Sequence, residues 1–309
     1  MGVMNLRDLE YVVAVAEESH FGRASERCNV SQPALSGQIK KLEDQLGVAL
    51  FERTNRRVAV TPIGVDVVEK AKRLLMIAEE IKLSAAAYTD PLAGSLRLGV
   101  IPTIGPYLLP DILKPLKLAL PKVQLTLCED QTANLERRLC NGDIDAAITA
   151  TDVQESGLSE IPLYDEPFRV ALPEGHALEQ SKEIDVTRID TSELLLLKDG
   201  HCLSDQVAKL CGLARAANAR GVDTQASSLE TIVGLVAAGA GVTFLPASAL
   251  DDNGASRRGV AIRMATNKAA SRKVRLIYRD TYPKRQVLAA VSSVVSGHLP
   301  YGVVSVALD

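Results

Sequence analysis

The sequence predicts an α/β protein in three parts: an N-terminal winged helix-turn-helix, a long linker helix and a two-lobed α/β domain that fills the rest of the chain. Three observations carry this prediction. Apolar residues recur at helical spacing in short N-terminal segments, a regular alternation of steps of four and three continues beyond Pro62, and from residue 95 short strand-like runs alternate with amphipathic helical ones. At 309 residues, 47% hydrophobic and 24% charged, the chain has the size and composition of a globular protein with two or three cores.

The first helix is expected over 5–18, where Leu6, Leu9, Val12, Val13 and Ala16 share a face, and a second over 22–28. Ser31 reads as the N-cap of a third, with Pro33 in its first turn, Leu35, Ile39, Leu42 and Leu46 on its apolar face, and Gly47 as its stop. Two helices joined by the turn 29–31 make a helix-turn-helix, and Gln32, Ser36, Gln38 and Lys40 would face a major groove. Residues 49–52 and 57–60 read as the strands of a wing around Arg53, Thr54, Asn55 and Arg56, and Arg57 adds to this basic patch. Any nucleic-acid signal is local, since basic and acidic residues balance eight against eight over residues 1–61 and the whole chain has a net charge of −3. The alternative on pattern alone is an ordinary small helical domain with a solvated charge run.

Val67, Ala71, Leu74, Ala78, Ile81, Ala85 and Tyr88 form a heptad seam over 62–88, and the alanines would let two helices approach closely. The seam predicts a dimerising helix or, alternatively, one buried against the next domain. A hinge over 89–95 breaks it. Strands over 96–101, 124–129 and 146–150 then alternate with helices over 107–118 and 132–140, which predicts a mainly parallel sheet. The region 96–309 is long enough for two similar lobes, lobe I (96–167 and 266–309) and lobe II (168–265), with 169–172 the leading strand of lobe II and 274–278 finishing lobe I. Ligands in such folds lie where strand ends meet helix starts, so Thr103 and Thr132 are candidates; Thr103 also fits a turn residue and Thr132 an N-cap.

The densest signal is LLLLKDGHCLSDQVAKLC at 194–211: a leucine-rich strand, a turn at Gly200, then Cys202 and Cys211. In one helix these cysteines stand roughly 13 Å apart on opposite faces, whereas a disulfide needs Cα atoms within roughly 7 Å. Either they never pair, or pairing unwinds the helix. Cys202 stands at a helix start, where backbone N–H groups favour a thiolate, and His201 beside it polarises the site or caps the turn. The five cysteines are odd in number and lack C-x-x-C spacing, which argues against a secreted disulfide scaffold or a zinc ribbon; no metal or cofactor is expected. Residues 1–8 carry no apolar run of signal-peptide length and no run approaches 18 apolar residues, so a cytoplasmic protein with no membrane partner is expected.

The stretch from residue 6, including FGRASERCNVSQPALSGQIKKLEDQLGVALFERTNRRVAVTPIG, resembles the winged helix-turn-helix of LysR-type transcriptional regulators. The two-lobed region is similar to the regulatory domain of that family, which is like a periplasmic binding protein. Within the family, LLLLKDGHCLSDQVAKLC and IPTIGPYLLP at 101–110 resemble the peroxide-sensing OxyR branch. The resemblance implies that Ser31, Gln32, Pro33, Ser36 and Gln38 lie on the recognition-helix face, with Arg53 and Arg56 in the wing. It implies a peroxide pocket of Thr103, Thr132, His201, Asp205 and an arginine, for which Arg272 is the best match and Arg275 the alternative. It further implies that hydrogen peroxide oxidises Cys202 to a sulfenic acid, which condenses with Cys211, refolds the regulatory domain and changes promoter binding to control antioxidant genes. The implied partners are double-stranded promoter DNA, hydrogen peroxide, RNA polymerase and further copies of the chain, as a homodimer assembling into a homotetramer. The alternative within the family is a regulator of a small metabolite bound between the lobes. A thiol peroxidase has no need of the winged helix and heptad linker, so an enzyme is not expected, and a transport solute-binding protein would need a signal peptide.

Overall fold

The computed structural model describes residues 4–53, 58–213, 226, 228–250, 259–267 and 270–305, with Arg53 described by its backbone alone. Arg56, with most of the expected wing turn, lies outside the described residues. The chain divides into two compact units, Met1–Ala85 and Ala86–Asp309.

In the first unit, Asn5 and Asp8 form a capping box that starts α1 (Leu6–Glu18), and the His20 ring accepts from the Gly22 and Arg23 N–H groups to start α2 (Phe21–Arg27). Asn29 takes the left-handed conformation in the following turn, φ 53°, and Ser31 accepts from the Ala34 N–H to start α3 (Gln32–Leu46). Leu35, Ile39 and Leu42 bury against Val12, Val15, Phe21 and Ala24. Leu46, expected on the same face, is 42% exposed, because α3 outruns that core by a turn. β1 (Phe51–Arg53) and β2 (Val58–Val60) pair antiparallel as the wing strands. α4 (Pro62–Thr89) begins where the Thr61 hydroxyl accepts from the Gly64 N–H. Of the seam residues on α4 only Ala71 is buried, against Leu9 and Val13, while Leu74, Ile81 and Tyr88 are exposed.

The second unit runs β3 (Ala93–Val100), α5 (Gly105–Ala119), β4 (Lys122–Glu129), α6 (Thr132–Cys140), β5 (Ala146–Thr149), β6 (Leu158–Pro173), β7 (Glu183–Ile184), α7 (Cys202–Leu210), α8 (Leu229–Ala237), β8 (Thr243–Pro246), β9 (Val260–Ala265), β10 (Ser271–Arg279), α9 (Arg285–Gly297) and β11 (Val304–Ser305). β3 pairs parallel with β4 and β5. It starts inside the stretch expected to be hinge, where the buried Lys284 amine donates to the Ala93 carbonyl at 2.7 Å. β6 is shared by two sheets: residues 158–167 pair with β10, and 168–173 with β8 and β9. The sheet is therefore mixed rather than mainly parallel. β6 carries the chain out of the first lobe and β10 returns it along the same line, and strands that share a path in opposite senses pair antiparallel.

The core of the second lobe gathers Phe168, Val170 and Leu172 of β6, Leu203 and Val207 of α7, Ile232 of α8 and Phe244 of β8. The leucine run is not a strand: Leu194 makes one isolated bridge to Val242, while Leu194, Leu195 and Leu197 are buried in this core. A nine-residue helix is marginal in water by itself, so the packing of Leu203, Val207 and Ala208 keeps α7 helical.

Candidate functional site

Gly200 sets the site's entrance turn. Its φ is +95°, a conformation that favours glycine, and a Cβ there would stand 2.4 Å from the Gln131 amide, which would have to swing aside. His201 occupies the N-cap position of α7 and Cys202 is its first residue, with the Ser204 hydroxyl bonded back to the Leu197 carbonyl at 2.9 Å. Cys202 is a free thiol. Burial pushes its pKa above the ordinary thiol value; the Arg272 guanidinium, the Thr132 hydroxyl and the Leu203 N–H act against that rise, and Asp205 adds to it.

Two helix starts meet at the sulfur: Cys202 opens α7, whose Leu203 N–H faces it, and Thr132 opens α6 and turns its side chain toward it. Thr103, just before α5, reaches the site through Arg272. Gln131, not Thr132, holds the N-cap position of α6, so the Thr132 hydroxyl is not used as a cap. It stands beside the sulfur outside good hydrogen-bond geometry, and Thr132 Oγ1 is buried with its bonding capacity unused. Arg272 donates from Nη1 to Thr103 Oγ1 at 2.8 Å, from Nη2 to the Thr103 carbonyl at 2.9 Å and from Nε to Glu166 at 2.7 Å. Arg275 is engaged elsewhere, with Asp152 at 2.5 Å and Glu160 at 3.0 Å.

His201 is buried, and burial followed by the charge of Lys198 holds its pKa below the ordinary imidazole value. It is therefore neutral at pH 7, and Arg272, not His201, supplies positive charge to the sulfur. Asp205 lies in the first turn of α7 with an exposed side chain, so it acts on Cys202 only as a nearby negative charge. Cys211 is the C-cap residue of α7, also a free thiol, and only burial shifts it, upward.

In the first unit, Ser31, Gln32, Pro33 and Lys40 are exposed on α3 and Ser36 is half-buried. Gln38 departs from the expected reading face: its amide donates to the buried Asp8 of α1 at 2.8 Å, which ties α3 to α1. Arg53 ends β1, and its side chain lies outside the described residues, as Arg56 does. Glu166 was not singled out by the sequence. The available signal was alternation, since Tyr164, Glu166, Phe168 and Val170 share one buried face of β6 and a carboxylate on such a face needs a cation.

Residues 6–65 match the family described as bacterial regulatory helix-turn-helix protein, lysR family, and residues 89–299 match the LysR substrate binding domain. The chain belongs to the LysR family of bacterial regulators, and its second unit has that family's periplasmic-binding-protein-like fold. Within the family its similarity runs to the peroxide-responsive members. It is 42% identical over 293 residues, 95% of this chain and 96% of the relative, to a hydrogen peroxide-inducible genes activator of Haemophilus influenzae. It is 41% identical over 301 residues, 96% and 97% of the two chains, to the DNA-binding transcriptional dual regulator OxyR of Escherichia coli K12. Among solved structures, a full-length OxyR cysteine variant from Pseudomonas aeruginosa is 38% identical with a TM-score of 0.77, covering 95% of this chain and 98% of that one. A peroxide-bound OxyR cysteine variant from Corynebacterium glutamicum is 35% identical with a TM-score of 0.64, covering 96% and 93%.

Proposed function

We propose that this chain is a DNA-binding transcription regulator switched by hydrogen peroxide through Cys202 and Cys211. The observation that carries the reading is the setting of Cys202: a free thiol at a helix start, beside the unused Thr132 hydroxyl and the buried Arg272 charge. The Cys202 thiolate attacks one peroxide oxygen, the O–O bond breaks and hydroxide leaves, giving a sulfenic acid; the Cys211 thiolate then attacks that sulfur and a second hydroxide leaves, giving the disulfide. Each hydroxide takes the proton its thiol gave up, so two waters are formed per disulfide. Thr103, Thr132, His201 and Arg272 line the peroxide pocket in this reading, and Asp205 tunes it from outside.

The second step works against the fold. In α7 the two cysteines stand roughly 13 Å apart, well beyond disulfide reach, so pairing unwinds the helix. Unwinding draws Leu203 and Val207 from the second lobe's core at about 2 kcal/mol each, a cost the disulfide and the refolded segment must offset. That refolding is the signal that changes promoter binding to control antioxidant genes. DNA is read by a domain over 1–61 through Ser31, Gln32, Pro33 and Ser36 of α3, with Gln38 bracing the helix and Arg53 and Arg56 meeting phosphates from the wing. The exposed apolar stripe of α4, over 62–88, pairs copies of the chain into a homodimer that assembles to a homotetramer, with RNA polymerase as the downstream partner.

The test is to treat the reduced full-length protein with one equivalent of hydrogen peroxide, map the thiols by mass spectrometry and footprint the promoter. A loss of two thiols as a Cys202–Cys211 link, together with an altered footprint, is expected. A Cys202→Ser protein that still switches overturns the reading. One observation favours a second reading: a cleft of about 730 Å3 is lined by Gln206, Lys209 and Lys273, together with Arg275 and Arg272, which are paired with Asp152, Glu160 and Glu166, a polar lining with room for a small metabolite. Thermal stabilisation by such a ligand, with no thiol loss on peroxide exposure, would favour it.

A further inference from the structure

Glu166 is fully buried, and a carboxylate is almost never fully buried unless paired. Its register partner across the β6–β10 ladder is Arg272, so the two side chains rise from directly opposed positions on one face of the sheet. Glu166 Oε2 accepts from Arg272 Nε at 2.7 Å and Oε1 accepts from the Ser248 N–H at 3.0 Å. With Nε taken, the plane of the guanidinium is fixed, and both Nη atoms meet Thr103. The charge that opposes burial at the Cys202 sulfur is thus carried on a fork whose stem Glu166 holds. Arg272 also lines the cleft of about 730 Å3 described above, so a guanidinium that lost its carboxylate would have water within reach, and a buried charge without its partner is strongly driven to find it.

We propose that Glu166 is a positioning residue for the oxidation of Cys202: anchored by the Ser248 N–H, it holds Arg272 by Nε and so keeps the guanidinium beside the reacting sulfur. The proposal rests on the reading of Cys202 as the target of peroxide. Glu166 acts on the sulfur only through Arg272. Its own negative charge also offsets part of the arginine's, and the two effects have opposite consequences on removal. Loss of positioning slows oxidation, whereas loss of the offset speeds it.

The experiment uses the reduced full-length protein and compares wild type, Glu166→Gln, Glu166→Asp, Arg272→Gln and the double variant Glu166→Gln/Arg272→Gln. The readouts are the rate at which peroxide oxidises Cys202 and the pH midpoint of Cys202 alkylation, both followed on the Cys202 peptide by mass spectrometry. Glu166→Gln is expected to slow oxidation about tenfold and to raise the alkylation midpoint, because Arg272 Nε and the Ser248 N–H are met by different carboxylate oxygens and an amide in the same place turns a donor NH2 toward one of them. Glu166→Asp keeps the charge but is too short to bridge both donors, and falls between. The double variant is expected to oxidise within about twofold of Arg272→Gln, the non-additivity of residues that act as one unit. A wild-type rate in Glu166→Gln, a midpoint that falls, or a further tenfold loss in the double variant each overturns the proposal. Should Glu166→Gln not fold, a wild-type rate in Glu166→Asp does so instead. Failure of wild-type Cys202 to react with peroxide is a separate outcome that removes the underlying reading as well.

Discussion

At its first residue α7 presents Cys202 to Arg272, Thr132 and a free backbone N–H, whereas at its C-cap Cys211 meets the apolar packing of the second lobe and only burial acts on its thiol. Both sulfurs are raised in pKa by desolvation, but opposing influences are collected at one of them alone among the described residues. The first end is equipped to make a thiolate at the moment of attack; the second is equipped to wait. A sensor with two equally activated thiols would have two targets for oxidant and no fixed order of steps; in the proposed mechanism the asymmetry along nine residues sets that order.

The largest effect is expected from Cys202→Ser, which should abolish peroxide-dependent thiol loss and the footprint change together, as a thiol count and a footprint would show. Arg272→Gln comes next: removing the charge that favours the thiolate should slow Cys202 oxidation by about tenfold or more in stopped-flow measurements. Acidity gives a comparable lever. Because the Cys202 pKa is raised in the folded protein, the thiolate is the minor form at neutral pH, and the oxidation rate should climb about tenfold per pH unit until the pKa is reached. The same shift has a sign for stability: the folded state holds this proton more tightly, so the contribution is complete below the ordinary thiol pKa and is lost as pH rises through the folded one, which denaturant melts across alkaline pH would record. Thr132→Val should slow oxidation only a few-fold while leaving the fold unharmed or more stable by up to about 1 kcal/mol, since it removes a buried hydroxyl with no bond of good geometry. The smallest effect on the first step belongs to Cys211→Ser, in which Cys202 should oxidise within about twofold of wild type and persist as a sulfenic acid that a sulfenic-acid-specific trap captures.

Local chemistry made much of this legible. The heads of α1, α3 and α7 are written in Asn5, Ser31 and the Gly200 turn, and the spacing of Leu35, Ile39 and Leu42 names the inner face of α3. The long strand β6 was largely hidden. Pro162 and Pro167 argue against a strand, yet Pro162 lies at the register shift where Leu163 is bulged out opposite Val274 and Arg275, and Pro167 ends the pairing with β10 just where the strand changes sheets. Both prolines therefore occupy positions where a ladder can spare a donor. Gln38 misled for a different reason: its place on α3 fits a groove-facing residue, and only the buried Asp8 across the helix pair captures it. The motif points to Arg272, and its separation from Arg275 in role follows from strand alternation: three residues apart on β10, the two side chains leave opposite faces, and Arg272 is the one opposed to Glu166.

That β6 belongs to two sheets also bears on how far a disturbance can travel. A strand slipping by one residue turns every side chain to the opposite face, and here the slip would have to occur in both lobes at once. The pair β6 and β10 is in effect a common ruler against which each lobe is measured, and it should carry the slowest-exchanging amides of the second unit. Melting α7 then removes a short helix from a frame that keeps its dimensions, so the displaced segment is expelled to seek new neighbours rather than absorbed by a general loosening.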